Sequence, residues 1–112
     1  MKLYVGEKLI ADDLKIAKDF YLRFKGLMFR GNMNDNEALI IPRCNWVHTM
    51  FMGFPIDVVY LDSDYVIIDM ESGVKPWRMC MPRLKAAHTL ELVSGTAKNK
   101  LLRTGEVVRC IA

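Results

Sequence analysis

Two runs of β-favouring residues separated by a short polar turn constrain the fold of this chain more than any other feature. "IDVVYL" covers residues 56 to 61, "YVIIDM" covers residues 65 to 70, and Asp62, Ser63 and Asp64 lie between them. Valine, isoleucine and tyrosine favour extended strands, whereas aspartate and serine favour turns. The stretch therefore predicts an antiparallel β-hairpin over residues 56–70.

The clearest helical pattern comes earlier, after two short predicted strands in "MKLYVG" and "EKLIA". Asp12 or Asp13 would cap the start of this helix, and Gly26 would follow its last turn. Apolar residues recur between these points at spacings of three and four, which places them on one helical face: Leu14, Ala17, Phe20, Tyr21 and Phe24. The pattern predicts one main N-terminal helix.

The rest of the chain indicates further strands and a second, shorter helix. "ALIIPR", "TLELV" and "EVVRCI" are predicted strands, and "SGTAKNKLLRTG" predicts a short C-terminal helix capped by Thr96. Helices that do not alternate with strands disfavour a doubly wound parallel sheet. We therefore expect an α+β fold, with a β-rich curled antiparallel sheet or small barrel and these two helices. The length of 112 residues predicts one domain over 1–112.

Composition excludes several functional classes. The formal charge is +3 and the basic residues are dispersed, which disfavours nucleic-acid binding. Three widely spaced cysteines indicate reduced thiols rather than a disulfide framework. The N-terminus has no apolar signal region, and no charge-free run is long enough to span a membrane. We expect a cytoplasmic protein with neither membrane nor nucleic-acid partners.

The segment "CNWVHTMFMGFPIDVVYLD", residues 44 to 62, combines an apolar pattern with chemically versatile side chains. From Cys44 to Ile56 it has no charged residue. As one long strand, or as two strands joined at Gly53–Pro55, it would be apolar on both faces and therefore covered on both. A buried His48 or Asp57 would then require a polar partner, because an uncompensated imidazole or carboxylate is costly inside a protein.

We favour a binding module with a pocket around this segment. Trp77 and Arg78 would present an aromatic surface beside a fork of hydrogen-bond donors, which suits a small anionic ligand. A protein partner is the other candidate occupant. The predicted ligand-binding residues are His48, Met52, Asp57, Trp77, Arg78 and Glu91.

Two alternatives use the same segment. In an acid–base hydrolase, His48 would act as general base, oriented by Asp57 or Glu91, with Cys44 as a nucleophile. In a metal site, two thiols and two imidazoles, from Cys44, His48, Cys80 and His88, would suit Zn, and the soft set of Cys44 and His48 with Met50 and Met52 would suit Cu(I). Their spacing matches no strong zinc signature, so no cofactor is expected.

Several short motifs occur in an order that resembles a known family. They are "RFKGLMFR", the central "HTMFMGFPID", "KPWR" and "LELVSG", and they extend over nearly the whole chain. The chain is similar to members of the domain of unknown function 192 family. This resemblance implies a compact, β-rich, barrel-like domain with flanking helices, and it implies no established activity.

Overall fold

The described part of the chain consists of short β-strands and one short helix. The structure is a computed structural model, and it describes residues 1–17 and 31–112. The elements, in chain order, are β1 Lys2–Val5, β2 Lys8–Ala11, β3 Asp13–Ile16, β4 Glu37–Pro42, β5 Ile56–Leu61, β6 Ile67–Val74, β7 His88–Val93, α1 Thr96–Asn99 and β8 Val108–Ile111.

These strands form two sheets. A three-stranded sheet has the order β2-β1-β8, and a five-stranded sheet has the order β3-β4-β7-β5-β6. β3 and β4 are parallel, whereas every other paired neighbour among these strands is antiparallel. The described strands do not close into a barrel, so the barrel alternative from the sequence is wrong.

The predicted hairpin is confirmed. β5 and β6 pair antiparallel, and the second strand extends beyond the prediction, to residue 74. The Asp62 side chain shapes the turn, because its Oδ1 accepts hydrogen bonds from the backbone N–H groups of Asp64 at 2.8 Å and Val66 at 3.0 Å. An aspartate that bonds to backbone amides ahead of it is a common way to stabilise a turn.

β5 is buried on both faces, which explains why its sequence is almost continuously apolar. Val59 and Leu61 belong to a core between the two sheets. Val58 and Tyr60, which alternate with them, belong to a second core on the opposite face of the five-stranded sheet. Residues from the connecting segments cover that second face, among them Val47, Met52, Phe54 and Cys80. Each fully buried aliphatic side chain contributes on the order of 1.5–3 kcal/mol.

The predicted N-terminal helix is wrong at its start. The residues expected to cap and begin it form β3, in which Leu14 lies opposite Ala38 of β4. Leu14 is buried and Lys15 is exposed, as alternation in a strand requires. The pairing with a distant parallel strand leaves no local signal, so the helical spacing was misleading. The rest of the predicted helix, from residue 18 to residue 26, lies outside the described residues.

The fold class also needs correction, because the described chain is nearly all sheet rather than α+β. Its helix, α1, is the predicted short C-terminal helix. Thr96 was expected to cap α1, but it is the first helical residue, and Gly95 precedes it as the cap with a φ of 93°. Glycine adopts this left-handed conformation without the steric cost that a Cβ would add.

Residues 44–53 do not form the expected strand. Within this segment His48 makes an isolated bridge to Met79, and the Met52 N–H donates to the carbonyl of Thr49 at 3.2 Å, which closes a turn. Val47 and Met52 of this segment cover the five-stranded sheet instead of joining it. Burial was correctly predicted for Val47 and Met52 but not for Trp46 and Phe51, which are exposed, because a loop that covers a sheet also has an outer side.

Candidate functional site

Asp57 is fully buried, and its carboxylate is held by backbone amides. Oδ1 accepts a hydrogen bond from the N–H of Gly73 at 2.8 Å. Oδ2 accepts from Gly95 at 3.1 Å and from Ala97 at 2.9 Å. Hydrogen bonds to an ionised acceptor are stronger than those between neutral groups, which compensates for burial of the charge. Asp57 therefore ties β5 to the end of β6 and to the beginning of α1.

His48 and Asp57 do not form the dyad that the hydrolase alternative requires. The Nδ1 atom of His48 accepts a hydrogen bond from the Met50 N–H at 3.3 Å, whereas both oxygens of Asp57 accept from the amides described above. Glu91, the other expected orienting group, is fully buried in β7 and has an interaction partner of its own. The observed partners of Asp57 give it a structural role.

Thr49, the residue after His48, fastens two loops together. Its hydroxyl donates to the Lys75 carbonyl at 2.6 Å and accepts from the Arg78 N–H at 2.9 Å. Its backbone carbonyl accepts from the Trp77 N–H at 3.0 Å, and its N–H donates to the Arg78 carbonyl at 2.8 Å. Thr49 is fully buried, so these bonds are shielded from water. They fix the position of the "KPWR" motif.

The six predicted ligand-binding residues fall into a buried and a more accessible group. Met52, Asp57 and Glu91 lie in the protein interior, with exposed fractions of 3%, 0% and 0%. Trp77 and Arg78 are exposed on the loop that Thr49 holds, and His48 is half-buried beside it. The structure therefore brings the accessible three together through the Thr49 contacts and places the other three beneath the surface.

The accessible group belongs to a larger surface, which we call the loop face, formed by residues 43–55 and 75–85. Backbone hydrogen bonds join the two loops at several levels, including Cys80 N–H to Val47 carbonyl at 2.9 Å and Arg83 N–H to Asn45 carbonyl at 2.9 Å. Large apolar side chains are exposed along it: Trp46, Phe51, Trp77, Met79, Met81 and Leu84. Exposed apolar patches of this kind mark interaction sites more often than isolated apolar side chains do.

Phe51 and Trp77 form the aromatic centre of the loop face. Their rings meet edge to face, with centroids 4.9 Å apart. Both residues have left-handed backbone conformations, with φ values of 63° and 64°. Such conformations are uncommon for bulky side chains and require support from the surroundings. The Thr49 hydrogen bonds supply that support on the Trp77 side.

Sequence reasoning missed a polar cluster beside the loop face. The guanidinium of Arg83 bonds to Asp69 at 2.7 Å and Glu71 at 3.2 Å, and it lies 4.5 Å from the centre of the Tyr60 ring. The Tyr60 hydroxyl donates to Glu71 at 3.2 Å, and the Cys80 thiol also bonds to Glu71. The two carboxylates alternate along β6, but nothing in the sequence indicates that Arg83 faces them.

These contacts shift the protonation of the cluster. Burial, and then hydrogen bonding to Glu71, raises the pKa of the Cys80 thiol to about 11. Burial also raises the pKa of Tyr60. For Glu71, burial acts to raise the pKa, but hydrogen bonds from Cys80 and Arg83 outweigh it, and the pKa lies below its ordinary value. The hydrogen bond from Arg83 lowers the pKa of Asp69. The thiol is therefore protonated and unreactive near neutral pH.

The four residues of the metal alternative do not assemble into a site. Within residues 1–17 and 31–112, no group of three or more His, Cys, Asp or Glu side chains is arranged to hold a metal ion. The Cys44 thiol donates instead to the Trp46 carbonyl at 2.8 Å, and Cys80 belongs to the polar cluster. His88 stacks on the Tyr65 ring with centroids 4.7 Å apart.

No helix in the described ranges has the length and apolar character needed to cross a membrane.

Two solved structures have the same fold. A protein of unknown function from Novosphingobium aromaticivorans matches with a TM-score of 0.81 and 20% identity, over 97% of this chain and 84% of its own. A candidate transcription regulator from Sinorhizobium meliloti matches with a TM-score of 0.80 and 21% identity, over 96% of this chain and 89% of its own. Identity this low supports the fold alone.

The chain is also similar in sequence to several UPF0127 proteins. A UPF0127 protein of Thermococcus sibiricus is 37% identical over 73% of this chain, and the match spans 55% of that relative's length. A UPF0127 protein of Pyrococcus abyssi is 33% identical over 88% of this chain and 86% of its own length. The family model for DUF192, described as "Uncharacterized ACR", matches residues 2–110. The resemblance inferred from the motifs is confirmed: the chain belongs to the DUF192 family of uncharacterised proteins.

Proposed function

We propose that this chain is a binding module that receives an acidic segment of a partner protein on the loop face. The observation that carries the proposal is the concentration of exposed aromatic and sulfur-containing side chains there. Trp77 is 59% exposed and Met79 is 65% exposed, although both belong to loops that are firmly attached to the fold. Rigid, exposed aromatic residues contribute a large share of the affinity in protein interfaces.

Charge favours an acidic partner. Residues 43–55 and 75–85 contain no aspartate or glutamate, but they contain five basic residues: Arg43, Lys75, Arg78, Arg83 and Lys85. Arg83 is neutralised by its carboxylate partners in the polar cluster, whereas the other four are exposed. A second copy of this chain would bring like charges together across the interface, which is unfavourable. Acidic side chains interspersed with apolar ones would match both features of the loop face.

The buried motif residues support this surface rather than contact the partner. Thr49 holds the loop that presents Trp77 and Arg78, and Asp57 fixes the strand beneath it. Preorganised loops lose little entropy when they bind, which improves affinity without additional contacts. The central motif is then a scaffold for binding. The hydrolase alternative receives no comparable support, because Asp57 is fully engaged with backbone amides.

The proposal can be tested with three short peptides that alternate leucine with glutamate, glutamine or lysine. Trp46 and Trp77, the tryptophans of this chain, provide a fluorescence signal. We expect the Glu–Leu peptide to bind most tightly, with an affinity that falls as salt is added. Trp77→Ala should weaken binding by about 30-fold, the effect of losing one interface hot spot. Arg78→Gln should weaken it a few-fold and reduce its salt dependence, as expected for an exposed charge pair.

Val107→Ala and Lys98→Gln are matched controls, because both side chains are exposed and lie outside the loop face. Neither change should alter peptide affinity. Equal binding of the three peptides, or full affinity in the Trp77→Ala variant, would contradict the proposal. So would a dimer that Trp77→Ala converts to a monomer, because that result would identify the occupant of the loop face as a second copy of the chain.

A further inference from the structure

A cleft next to the loop face has the features of a small-molecule site. It has a volume of about 490 Å³ and is lined by residues that include Arg43, Asn45, Trp46, Ser63 and His88. Ligand sites in proteins commonly have volumes of about 300–1,000 Å³ and combine an apolar wall with a few polar groups. The cleft shares residues 43–46 with the loop face, and the rest of its lining comes from the turn before β6 and from residues 86–88.

Backbone hydrogen bonds fix the walls of the cleft. The Cys44 N–H donates to the Ala87 carbonyl at 3.1 Å, and the Cys44 carbonyl accepts from the Thr89 hydroxyl at 2.7 Å. The Ala87 N–H donates to the Leu61 carbonyl at 2.7 Å. These bonds attach the walls of the cleft to the end of β5 and the beginning of β7, which are neighbouring inner strands of the five-stranded sheet.

His88 is held as a hydrogen-bond donor. Its Nδ1 atom accepts from the Arg43 N–H at 3.2 Å, so the neutral ring carries its proton on Nε2. Stacking on Tyr65, with an interplanar angle of 13°, fixes the plane of the imidazole. The same hydrogen bond places the backbone of Arg43 next to the imidazole ring of His88.

Polar side chains that line the cleft can donate to an anion. Arg43 supplies a guanidinium, Asn45 an amide and Ser63 a hydroxyl, and none of the described lining residues carries a carboxylate. Asp62 precedes Ser63, but its Oδ1 accepts two backbone amides and it is not part of the lining. A guanidinium fork pairs well with planar anions, and the Trp46 indole offers a flat apolar surface beside it.

We infer that this cleft binds a small organic anion, one that carries a carboxylate on a flat apolar body. Arg43 would pair with the carboxylate, the Nε2–H of His88 would donate to it, and Trp46 would pack against the apolar body. The cleft shares Arg43 and Trp46 with the loop face, but Trp77 and Arg78, on which the proposed partner binding depends most, do not line it, so the two kinds of binding can be tested separately.

The test is a titration of the full chain with four probes of similar shape: benzoate, phenyl phosphate, neutral benzamide and cationic benzamidine. Amide chemical shifts in residues 43–46 and 86–88 would report occupancy. The alkylation rate of Cys44, which lines the cleft, gives a second readout by peptide mass spectrometry. Benzoate should produce saturable shifts and slow Cys44 alkylation. Benzamide and benzamidine should bind at least about tenfold more weakly than benzoate, since they lack the charge-assisted pair.

Variants separate the roles of the lining residues. Arg43→Gln should weaken benzoate binding by about tenfold or more. His88→Asn keeps an acceptor near the position of Nδ1 but lacks the Nε2–H donor, so it should also weaken binding while the contact with Arg43 persists. Trp77→Ala should leave benzoate affinity unchanged and reduce only peptide binding.

Three results would overturn the inference. They are the absence of saturable shifts with benzoate, equal binding of benzoate and benzamide, and unchanged benzoate affinity in Arg43→Gln. Tighter binding of phenyl phosphate than of benzoate would replace the carboxylate assignment with a phosphate one. Shifts confined to Trp77 and Arg78 would place small anions on the loop face and refute the cleft site, without affecting the proposed partner binding.

Discussion

Replacement of Asp57 by asparagine is the sharpest test of how the central motif supports the fold. Both carboxylate oxygens are used, Oδ1 by Gly73 and Oδ2 by Gly95 and Ala97. An asparagine has one acceptor atom, so its oxygen can at best retain the two bonds of Oδ2. Its NH₂ group would then face the Gly73 N–H, and a buried donor would be left unsatisfied.

The cost follows from these contacts. An unsatisfied buried amide costs about 1–3 kcal/mol, and two charge-assisted bonds that become neutral lose about 1 kcal/mol each. A neutral amide is less costly to bury than a carboxylate, which offsets part of this loss. We therefore expect Asp57→Asn to lower the free energy of unfolding by about 3 kcal/mol. A change of that size would lower Tm by roughly 10–20 °C in a chain of this length.

Asp62→Asn is the matched control, because both amide bonds of Asp62 end on the same oxygen, Oδ1. Its asparagine can retain both bonds, and because Asp62 is partly exposed, water screens the lost charge, so the loss should stay below about 1 kcal/mol. Urea denaturation followed by tryptophan fluorescence would measure both variants on one scale. Equal destabilisation by the two changes, or an Asp57→Asn variant within about 1 kcal/mol of the parent, would refute this account of the buried carboxylate.

Three further predictions concern the loops and the polar cluster. Thr49→Val should cost about 2–4 kcal/mol in urea denaturation by removing two buried hydrogen bonds, whereas Thr49→Ser, which keeps the hydroxyl, should cost about 1 kcal/mol. The lowered pKa values of Asp69 and Glu71 imply stability that is present above the ordinary carboxyl pKa range and is lost as pH falls through the lowered values. Arg83→Gln should therefore reduce the loss of Tm on acidification, measured by thermal melts at successive pH values. An unchanged dependence of Tm on pH would contradict this prediction. Cys80 should resist alkylation at pH 8 until denaturant is added, and rapid labelling of the native chain would count against its burial and raised pKa.

Local signals in the sequence predicted the hairpin but not the parallel pairing of β3. The turn at Asp62 and the runs on either side of it are contiguous, so the sequence contains all the information that the hairpin requires. β3 has four residues, and its partner β4 begins more than twenty residues later. Over four residues, alternation cannot be separated from helical spacing, so the tertiary contact determined the structure.

The candidate site was predictable to a similar degree. The apolar residues around Asp57 in the sequence predicted that it would be buried and would need polar partners. They could not identify those partners, because Ala97, for example, lies forty residues away along the chain. Met52 and Glu91 could not be assigned to the interior without knowing which elements cover β5 and β7. The Arg83 cluster depends on three separate elements and has no contiguous motif.

The outer strand of the five-stranded sheet has consequences for aggregation. In the described chain β6 is an edge strand, and an unpaired edge can recruit a strand from another molecule. Two register shifts interrupt its pairing with β5, Gly73 turns left-handed at φ 61°, and the strand carries Asp69 and Glu71. Irregularity and charge both discourage further strand addition. The carboxylates that bind Arg83 therefore also help to keep separate molecules from joining through this edge.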